Sequence, residues 1–331
     1  MINRQAKLNP KIFDADCEKA PIRRGFGEGL VIAGETDKNV VGLCADLSES
    51  VQMEKFKNKF PERYVEMGVA EQNMAGVASG MAAMGKIPFM ASYAVFSPGR
   101  NWEHIRTLIC YNNQPVKIVG SHSGVSVGAD GGSHEMLEDI ALARVLPRMV
   151  VISPCDAIEA KKATIAAART NTPVYLRLAR NPTPVVTTEE TPFEIGKAQI
   201  FFEPVVGKPD VTIIATGEMV ANALLAARVL EKDKIGVRVL NLATIKPLDK
   251  VAIARAASDS GAIVTVEDHQ LAGGMGSAVA EFLATTNPVP MEFVAVHDRF
   301  GQSGTPDELI EHYGLGVKDI ITAVKKSIKI K

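Results

Sequence analysis

Cysteine is sparse in this chain, and the positions of the cysteines exclude two classes of site. The 331 residues include four cysteines, Cys17, Cys44, Cys110 and Cys155, which lie far apart and form no CxxC pair. This spacing fits neither a disulfide framework nor a thiolate metal site. Because Cys44 and Cys110 lie in apolar stretches, we expect reduced and mostly buried thiols.

The chain also lacks a charge excess and a long apolar run. Its 37 Lys and Arg residues balance 38 Asp and Glu residues, for a formal net charge of -1. Nothing in this balance favours a nucleic acid or a membrane surface as a partner. No window approaches the roughly 18 uninterrupted apolar residues of a membrane span, and residues 1–20 are charged throughout, unlike a signal peptide. We therefore expect a cytoplasmic protein without nucleic-acid or membrane partners.

Short apolar segments alternate with helical stretches along most of the chain. In the first half, the predicted strands are 40–45, 64–67, 87–91, 116–120, 149–153 and 174–178. The predicted helices there are 22–33, one that begins at residue 71, 98–111, 134–145 and 156–169. Strands of about five residues that alternate with helices of ten or more are typical of a parallel, doubly wound α/β sheet.

The alternation is interrupted once, in a segment rich in Pro, Thr and Glu at residues 181–192. Its prolines interfere with regular helix and ladder hydrogen bonds, so it marks the best domain boundary. A second α/β alternation begins at residue 211. We predict two doubly wound α/β domains, divided into an N-terminal arm (1–20), a first domain (21–185), a linker (186–195) and a second domain (196–331).

Glu71 is the first candidate functional residue. It follows a short apolar strand that breaks at Gly68, and it begins a helix. That helix is poor in side-chain volume, with Gly76 and Gly80, so another helix or subunit could approach it closely. A carboxylate in the first turn of a helix is also explained by the helix dipole, which is worth a few tenths to ~1 kcal/mol. Position alone favours the dipole interpretation.

Two more polar sets come directly after predicted strands. Residues 92–97 include Tyr93 and Phe96, whose spacing suits a shared direction but is equally compatible with core packing. Residues 121–134 form a long glycine-rich loop that carries two histidines and an aspartate. Such loops are often functional, and polar residues after strand ends line the ligand crevice of a doubly wound sheet. We expect a functional site at this loop.

The second half offers fewer candidates. Glu267, Asp268 and His269 follow a predicted strand, but capping of the Gly273–Gly274 turn or contact with a partner explains them as well as chemistry does. The run 273–276 resembles half of a dinucleotide fingerprint. It lacks the last glycine and the acidic residue about twenty positions later, so it is a weak sign of NAD binding.

Three stretches together resemble a known family. Residues 69–74 (VAEQNM), residues 92–96 (SYAVF) and the loop from His122 to His134 are similar to the pyrimidine-binding domain of the transketolase family. The second half resembles the carboxyl-terminal domain of that family. The resemblance runs in order from about Pro21 to the end of the chain and implies that 21–185 is the pyrimidine-binding domain.

The resemblance implies thiamine diphosphate as the cofactor, which performs the difficult step while the protein positions it. In the family, a glutamate at the position of Glu71 hydrogen-bonds N1′ of the aminopyrimidine and follows proton movement on that ring. Tyr93 and Phe96 would pack against the aminopyrimidine, and Asp46, at the end of a strand, is assigned to the same cofactor site. The family's third aromatic residue falls where this chain has Gly99.

The resemblance also implies a sugar substrate. His122 and Asp130 match family residues at the donor sugar's end of the channel, and His134 matches a histidine further out. This chain departs from the family at residues 132–135, where a proline, a threonine and a glutamine are common and Gly132, Ser133 and Glu135 stand instead.

A phosphate group on that sugar is implied by three further matches. The arginines and the serine that hold the phosphate in the family fall on Arg23, Arg180 and Ser50. Arginine suits this role because its planar fork meets phosphate oxygens bidentately. Since Arg24 is adjacent to Arg23, the match at that end is open to a shift of one residue.

The family's other half is expected on a separate chain. Complete transketolases bind the diphosphate through magnesium with a Gly-Asp-Gly sequence in another domain, and no Gly-Asp-Gly occurs here. The resemblance therefore implies the carboxyl-terminal subunit of a split transketolase, which would share thiamine diphosphate and Mg²⁺ with an N-terminal diphosphate-binding subunit. The expected assembly is an α₂β₂-type heterotetramer with homodimer contacts through both domains of this chain.

The implied reaction is transfer of a two-carbon ketol unit from a ketose phosphate to an aldose phosphate, as in the non-oxidative pentose phosphate pathway. Three alternatives remain open at this point. Two share the cofactor: a 2-oxo acid dehydrogenase E1 β-type subunit and a 1-deoxyxylulose-5-phosphate synthase-like enzyme. The third is a non-catalytic regulatory subunit with the same fold.

Overall fold

The computed structural model describes all 331 residues and arranges them in two main sheets flanked by helices. The strands are β1 (Lys19–Pro21), β2 (Val40–Cys44), β3 (Tyr64–Glu66), β4 (Ile87–Tyr93), β5 (Lys117–Ser121), β6 (Val150–Ile152), β7 (Val174–Leu178), β8 (Pro182–Pro184), β9 (Gln199–Phe202), β10 (Val211–Ala215), β11 (Val237–Asn241), β12 (Thr244–Lys246), β13 (Ile263–Gln270) and β14 (Met291–Val296). The helices are α1 (Ile22–Thr36), α2 (Glu54–Lys59), α3 (Glu71–Ala83), α4 (Trp102–His104), α5 (Asp139–Arg144), α6 (Ala157–Ala168), α7 (Met219–Lys232), α8 (Lys250–Ser260), α9 (Met275–Thr286), α10 (Pro306–His312) and α11 (Val317–Lys329). None of the helices combines the length and the hydropathy of a membrane span.

Both sheets are mainly parallel. The first has the strand order β12-β6-β7-β5-β4-β2-β3 and the second has the order β14-β13-β10-β11-β9. Every residue of β2, β5, β7, β10 and β11 is buried, because helices cover both faces of each sheet. The predicted doubly wound α/β fold class is confirmed.

The carboxyl ends of three neighbouring strands lie side by side in the first sheet. Tyr93 at the end of β4 is in register with Ser121 of β5, and Ser121 is in register with Leu178 of β7. Segments that leave these strands therefore start at one edge of the sheet, where ligands bind in doubly wound folds.

The packing of α1 against α6 fixes the position of α1 beside that edge. A Cβ atom at Gly25 would lie 1.7 Å from the carbonyl oxygen of Ala157, and one at Gly29 would lie 2.7 Å from the carbonyl oxygen of Lys161. Only glycine permits this close approach. Arg23, in the first turn of α1, is thereby held close to the sheet.

Two predicted helices are wrong in their extent. In the predicted helix 98–111, residues 98–101 form a turn, and the chain then makes one short turn of α4 and a π-helix, Ile105–Tyr111. Pro98 and Gly99 favour the turn. In the predicted helix 134–145, only α5 is helical. Residues up to 138 instead continue the glycine-rich loop, in which the Gly124 N–H donates to the Met136 carbonyl at 2.9 Å.

The N-terminal segment is more deeply packed than its polar composition suggests. Ala6, Leu8 and Ile12 are buried in the apolar core of the second sheet, and the Asn3 N–H donates to the Phe201 carbonyl at 2.9 Å. Their irregular spacing has no period, which is why the sequence predicts only a polar arm. The second half also contributes β12 to the first sheet, where it pairs with β6, a strand that the sequence pattern did not show.

Candidate active site

Glu71 is the first residue of α3, and its side chain is buried. The residue is 2% exposed, and its Oε2 atom has no hydrogen-bond partner in the chain. The nearest cationic atom is Nη1 of Arg100, 3.6 Å from Oε2, on a side chain that is itself 56% exposed. A buried carboxylate oxygen without a donor is costly, so Glu71 is poised to accept a hydrogen bond from a ligand.

Asn101 connects Glu71 to the turn that follows β4. Its Nδ2 atom donates to the Glu71 carbonyl at 3.0 Å and to Ser97 Oγ at 3.2 Å, and the side chain is fully buried. The turn that carries Phe96 is therefore fixed relative to the start of α3. Asn101 escaped the sequence analysis because it falls inside a segment predicted to be helical.

We expect Asn101→Ala to lower the free energy of unfolding by about 1–3 kcal/mol, because the buried Glu71 carbonyl and Ser97 hydroxyl lose their donor. Urea unfolding of the purified chain measures this loss. Asn112→Ala is the matched control, since Asn112 is an exposed amide bonded to the Leu108 carbonyl, and it should change stability by at most about 0.5 kcal/mol. Equal effects of the two substitutions would contradict the role given to Asn101.

Four predicted ring residues form one cluster at the edge of the first sheet. The rings of Tyr93 and His122 stack with centroids 3.7 Å apart, and Tyr93 and Phe96 are nearly parallel at 5.9 Å. His134 meets Phe96 edge to face at 5.7 Å. The glycine-rich loop and the turn after β4 thus bring together residues that are up to 41 positions apart in sequence, from 93 to 134.

His122 is neutral in this environment. It is 1% exposed, and its Nδ1 atom lies 2.9 Å from Ser121 Oγ. Burial, followed by the charges of Arg23 and Arg180 and the proximity of His134, lowers the pKa of His122 to about 3. At neutral pH the ring therefore offers one N–H and one lone pair to a ligand hydroxyl rather than a positive charge.

Arg23 and Arg180 lie next to each other beside His122. Arg180 Nη1 donates to the Val127 carbonyl at 2.8 Å, and Arg23 Nε donates to the Arg180 carbonyl at 3.2 Å. Arg23 also donates to the Ser50 carbonyl. Burial, and then the charge of Arg180, lower the pKa of Arg23. Neither arginine has a carboxylate partner, so the pair suits an anionic ligand.

The neighbouring residue Arg24 has a different environment. Its guanidinium is exposed and forms an ion pair with Glu28, 2.9 Å away on the same helix. Arg23, rather than Arg24, therefore faces the ring cluster.

The structure does not bring every predicted residue into this cluster. Asp130 is exposed near the tip of the glycine-rich loop, and Asp46 is exposed after β2. Neither side chain forms a hydrogen bond or an ion pair with the cluster. Ser50 contributes its backbone carbonyl to Arg23 rather than its hydroxyl.

A buried polar network behind the loop was missed by the sequence analysis. Tyr175 Oη and Arg177 Nε donate to Asp139 Oδ2 at 2.7 and 2.9 Å, and Arg177 Nη2 donates to the Asp268 carbonyl at 2.6 Å. Arg177 was the available signal, since a charged residue in the middle of an apolar strand needs a buried partner.

Glu267 caps a helix. Its two carboxylate oxygens accept the backbone N–H groups of Met275 and Gly276 at 2.6 and 2.8 Å, at the start of α9. Burial raises the pKa of Glu267 to about 7. Glu267 therefore caps the helix that follows the Gly273–Gly274 turn, rather than the turn itself.

The family described as "Transketolase, pyrimidine binding domain" matches residues 18–185, and "Transketolase, C-terminal domain" matches residues 202–320. The chain belongs to the transketolase family. Its fold is that of the pyrimidine-binding and C-terminal domains of a transketolase.

Similar proteins include a C-terminal section and a subunit of transketolases. The "putative transketolase C-terminal section" of Methanocaldococcus jannaschii is 43% identical over 93% of this chain and 96% of its own length. The "6-deoxy-6-sulfo-D-fructose transketolase subunit SqwH" of a Clostridium species is 40% identical over 94% and 95%. A solved structure described as "Split gene transketolase, inactive beta4 tetramer" matches with a TM-score of 0.87 and 43% identity, over 94% of this chain and 99% of that one.

The transketolase family implies dependence on thiamine diphosphate, and the residues present fit its pyrimidine half. The Oε2 atom of Glu71 lacks a hydrogen-bond donor, which the N1′–H of the imino form of an aminopyrimidine would supply. Tyr93 and Phe96, on the turn joined to Glu71 through Asn101, offer flat apolar surfaces for its ring. This chain has no group of three His, Cys, Asp or Glu side chains placed to hold a metal ion.

Proposed function

We propose that this chain is the C-terminal subunit of a thiamine diphosphate-dependent transketolase that transfers a two-carbon ketol unit from an anionic ketose to an aldose phosphate. The observation that carries the proposal is the buried Oε2 atom of Glu71, which has no hydrogen-bond donor and only the exposed Arg100 guanidinium, 3.6 Å away, as an ionic neighbour. The bound cofactor supplies the centre that stabilises the carbanion.

In this proposal, residues of this chain bind and orient the cofactor, and one of them takes part in its proton movements. Glu71 would hydrogen-bond N1′ of the aminopyrimidine and accept the N1′–H that the ring carries in its imino form, and Tyr93 and Phe96 would pack on the ring. Asp46 remains a predicted cofactor contact at the carboxyl end of β2. These roles come from the family resemblance, and the positions of Glu71, Tyr93 and Phe96 described above support them.

In the proposed complex, the sugar contacts residues of the glycine-rich loop. His122, held neutral, hydrogen-bonds donor hydroxyls, and His134 does so further out, with its Nδ1 atom 2.9 Å from Ser133 Oγ. Asp130, exposed near the loop tip, accepts hydrogen bonds from a substrate hydroxyl. Arg23 and Arg180 bind the anionic end of the sugar, with Ser50 beside them.

The anionic end is a phosphate in the proposed reaction, and a sulfonate is the specific second candidate. Both groups present oxygen atoms to a pair of guanidinium groups. The sulfonate is considered because one relative is described by the name of a sulfonated sugar. Transfer from xylulose 5-phosphate to ribose 5-phosphate would place the enzyme in pentose phosphate metabolism, whereas one relative is named for apulose 4-phosphate.

A separate subunit completes the site. It would bind the diphosphate and provide the Mg²⁺ ligands, and an α₂β₂-type assembly would place the cofactor between the subunits. The glycine positions of α3 support such a contact, because a Cβ at Gly80 would meet no atom of this chain within 4 Å. The description of one solved relative as an inactive β4 tetramer is consistent with this dependence.

Reconstitution tests the proposal. We expect no ketol transfer by this chain alone. After co-expression with the adjacently encoded candidate partner, and with thiamine diphosphate and Mg²⁺ in the assay, we expect transfer from xylulose 5-phosphate to ribose 5-phosphate. A parallel arm with 6-deoxy-6-sulfofructose distinguishes sulfonate from phosphate. Activity of this chain alone would contradict the partner argument. A complex that binds the cofactor but transfers a ketol unit from neither donor would contradict the substrate assignment. It would favour the alternative of a non-catalytic subunit.

A further inference from the structure

Two carboxyl groups from the second half of the chain hold the glycine-rich loop. Ser126 Oγ donates to Glu218 Oε1 at 2.6 Å, and the Val125 N–H donates to Asp268 Oδ1 at 3.1 Å. Ser126 and Val125 belong to a single 3₁₀ turn, Val125–Val127. The loop backbone lies so close that a Cβ at Gly124, where φ is 82°, would be 1.9 Å from Asp268 Oδ2. The turn is therefore held at two successive residues by the second half.

The same turn leads directly to the arginine pair. The carbonyl of Val127, the last residue of the turn, accepts the hydrogen bond of Arg180 at 2.8 Å. The Arg180 carbonyl in turn accepts the hydrogen bond of Arg23 at 3.2 Å. A shift of the turn would move the acceptor that orients Arg180.

The two carboxyl groups are neighbours, because they accept hydrogen bonds from successive residues of one turn. Asp268 is 2% exposed and Glu218 is partly buried, and the charge of Asp268 acts on Glu218. Asp268 Oδ2 is buried, and no N–H or O–H group of the chain donates to it. Two ionised carboxylates in contact repel each other, and an acceptor without a donor is costly. One proton between them would remove both penalties.

We propose that Glu218 and Asp268 share one proton near neutral pH and act as positioning residues for the Val125–Val127 turn and, through Val127, for Arg180. Only the last step, in which Arg180 binds the substrate anion, rests on the proposed function. The hydrogen bonds that hold the turn are independent of it.

Arg177 is the nearby cation, and its charge opposes the rise in pKa of both carboxyl groups without outweighing burial. Its Nε atom is 2.9 Å from Asp139, so its charge is shared with a third carboxylate. Glu135 adds a further acid close to Asp268, and burial together with Asp268 raises the pKa of Glu135 to about 7. Burial lowers the pKa of His269 to about 4, so that ring is neutral.

The titration of the pair has a definite sign. Burial, and then the charge of Asp268, raise the pKa of Glu218 from 4.5 to about 8, and burial raises the pKa of Asp268. Between pH 4.5 and about pH 8, Glu218 keeps its proton in the folded chain and has lost it in the unfolded chain. The stability contributed by this proton is fully present below pH 4.5 and is lost as the pH rises through about 8.

Glu218→Gln tests the shared proton, because its amide offers a permanent N–H donor to Asp268 and an oxygen to Ser126. We expect its thermal midpoint to fall less steeply than that of the wild type between about pH 6 and about pH 9, and to exceed the wild-type value at the upper end. Glu189→Gln, an exposed control that removes a carboxylate paired with Lys161, should run parallel to the wild type. Parallel wild-type and Glu218→Gln profiles would overturn the proposal.

Hydrogen exchange and kinetics test the positioning role. In Glu218→Ala, the amides of residues 124–128 should lose about tenfold in protection, and in the assembled enzyme KM for a phosphorylated donor should rise about tenfold with little change in kcat. Glu218→Gln should restore both. Equal losses in the two variants would overturn the proposal. If the wild-type assembly transfers no ketol unit, the proposed function fails. Hydrogen exchange and the pH dependence of the thermal midpoint then test the role of Glu218 and Asp268 without it.

Discussion

Replacing Glu71 by Gln should lower ketol transfer by the assembled enzyme by roughly 10²–10⁴-fold, the range of a lost general acid–base contribution. The amide keeps the shape of the side chain, but it cannot follow proton movement on the aminopyrimidine. The chain should remain folded, because the substitution replaces a buried carboxylate oxygen that has no donor. Steady-state transfer with saturating cofactor measures the loss, and thermal unfolding verifies the fold.

The control for Glu71 is Glu190→Gln, which alters an exposed carboxylate paired with Lys7. It should leave the rate within about twofold of the wild type, as expected for a surface ion pair. An undiminished rate in Glu71→Gln would remove Glu71 from the chemistry. It would also favour a subunit whose own site is inert.

Arg23→Ala should raise KM for a phosphorylated donor by roughly 10- to 100-fold, corresponding to about 1.5–3 kcal/mol for a hydrogen bond to a charged group. Arg23 has no carboxylate partner, so its charge is available to the substrate anion, and it lies directly against Arg180. Initial rates with varied donor concentration give KM and kcat separately. A donor without an anionic end should be affected far less.

Arg24→Ala is the matched control for this prediction. Its guanidinium is exposed and paired with Glu28 on the same helix, so its removal should change KM by less than about twofold. A larger effect at Arg24 than at Arg23 would mean that the family match is shifted by one residue. Equal, small effects at both would contradict an anion site at this edge.

The clustering of residues at the carboxyl ends of β4 and β5 was predictable from local sequence patterns. Tyr93, Phe96 and His122 follow strands whose apolar runs are clear, and parallel strands bring their carboxyl ends together. Helix extents were less predictable where loop hydrogen bonds compete with helical periodicity. Residues 134–138 read as helical, yet they remain in the loop that Gly124 ties to Met136.

Chain order, strand alternation and the motif set determined the fold class and the family, because buried parallel strands and glycine-rich loops leave strong local patterns. Only the tertiary structure decided which of two adjacent arginines faces the site, since packing of α1 on α6 sets the rotation of the helix. It also decided that Glu218 and Asp268 hold the loop, through contacts between residues 92 and 143 positions apart. Such long-range polar contacts leave no periodic trace, because each depends on where two distant backbones meet.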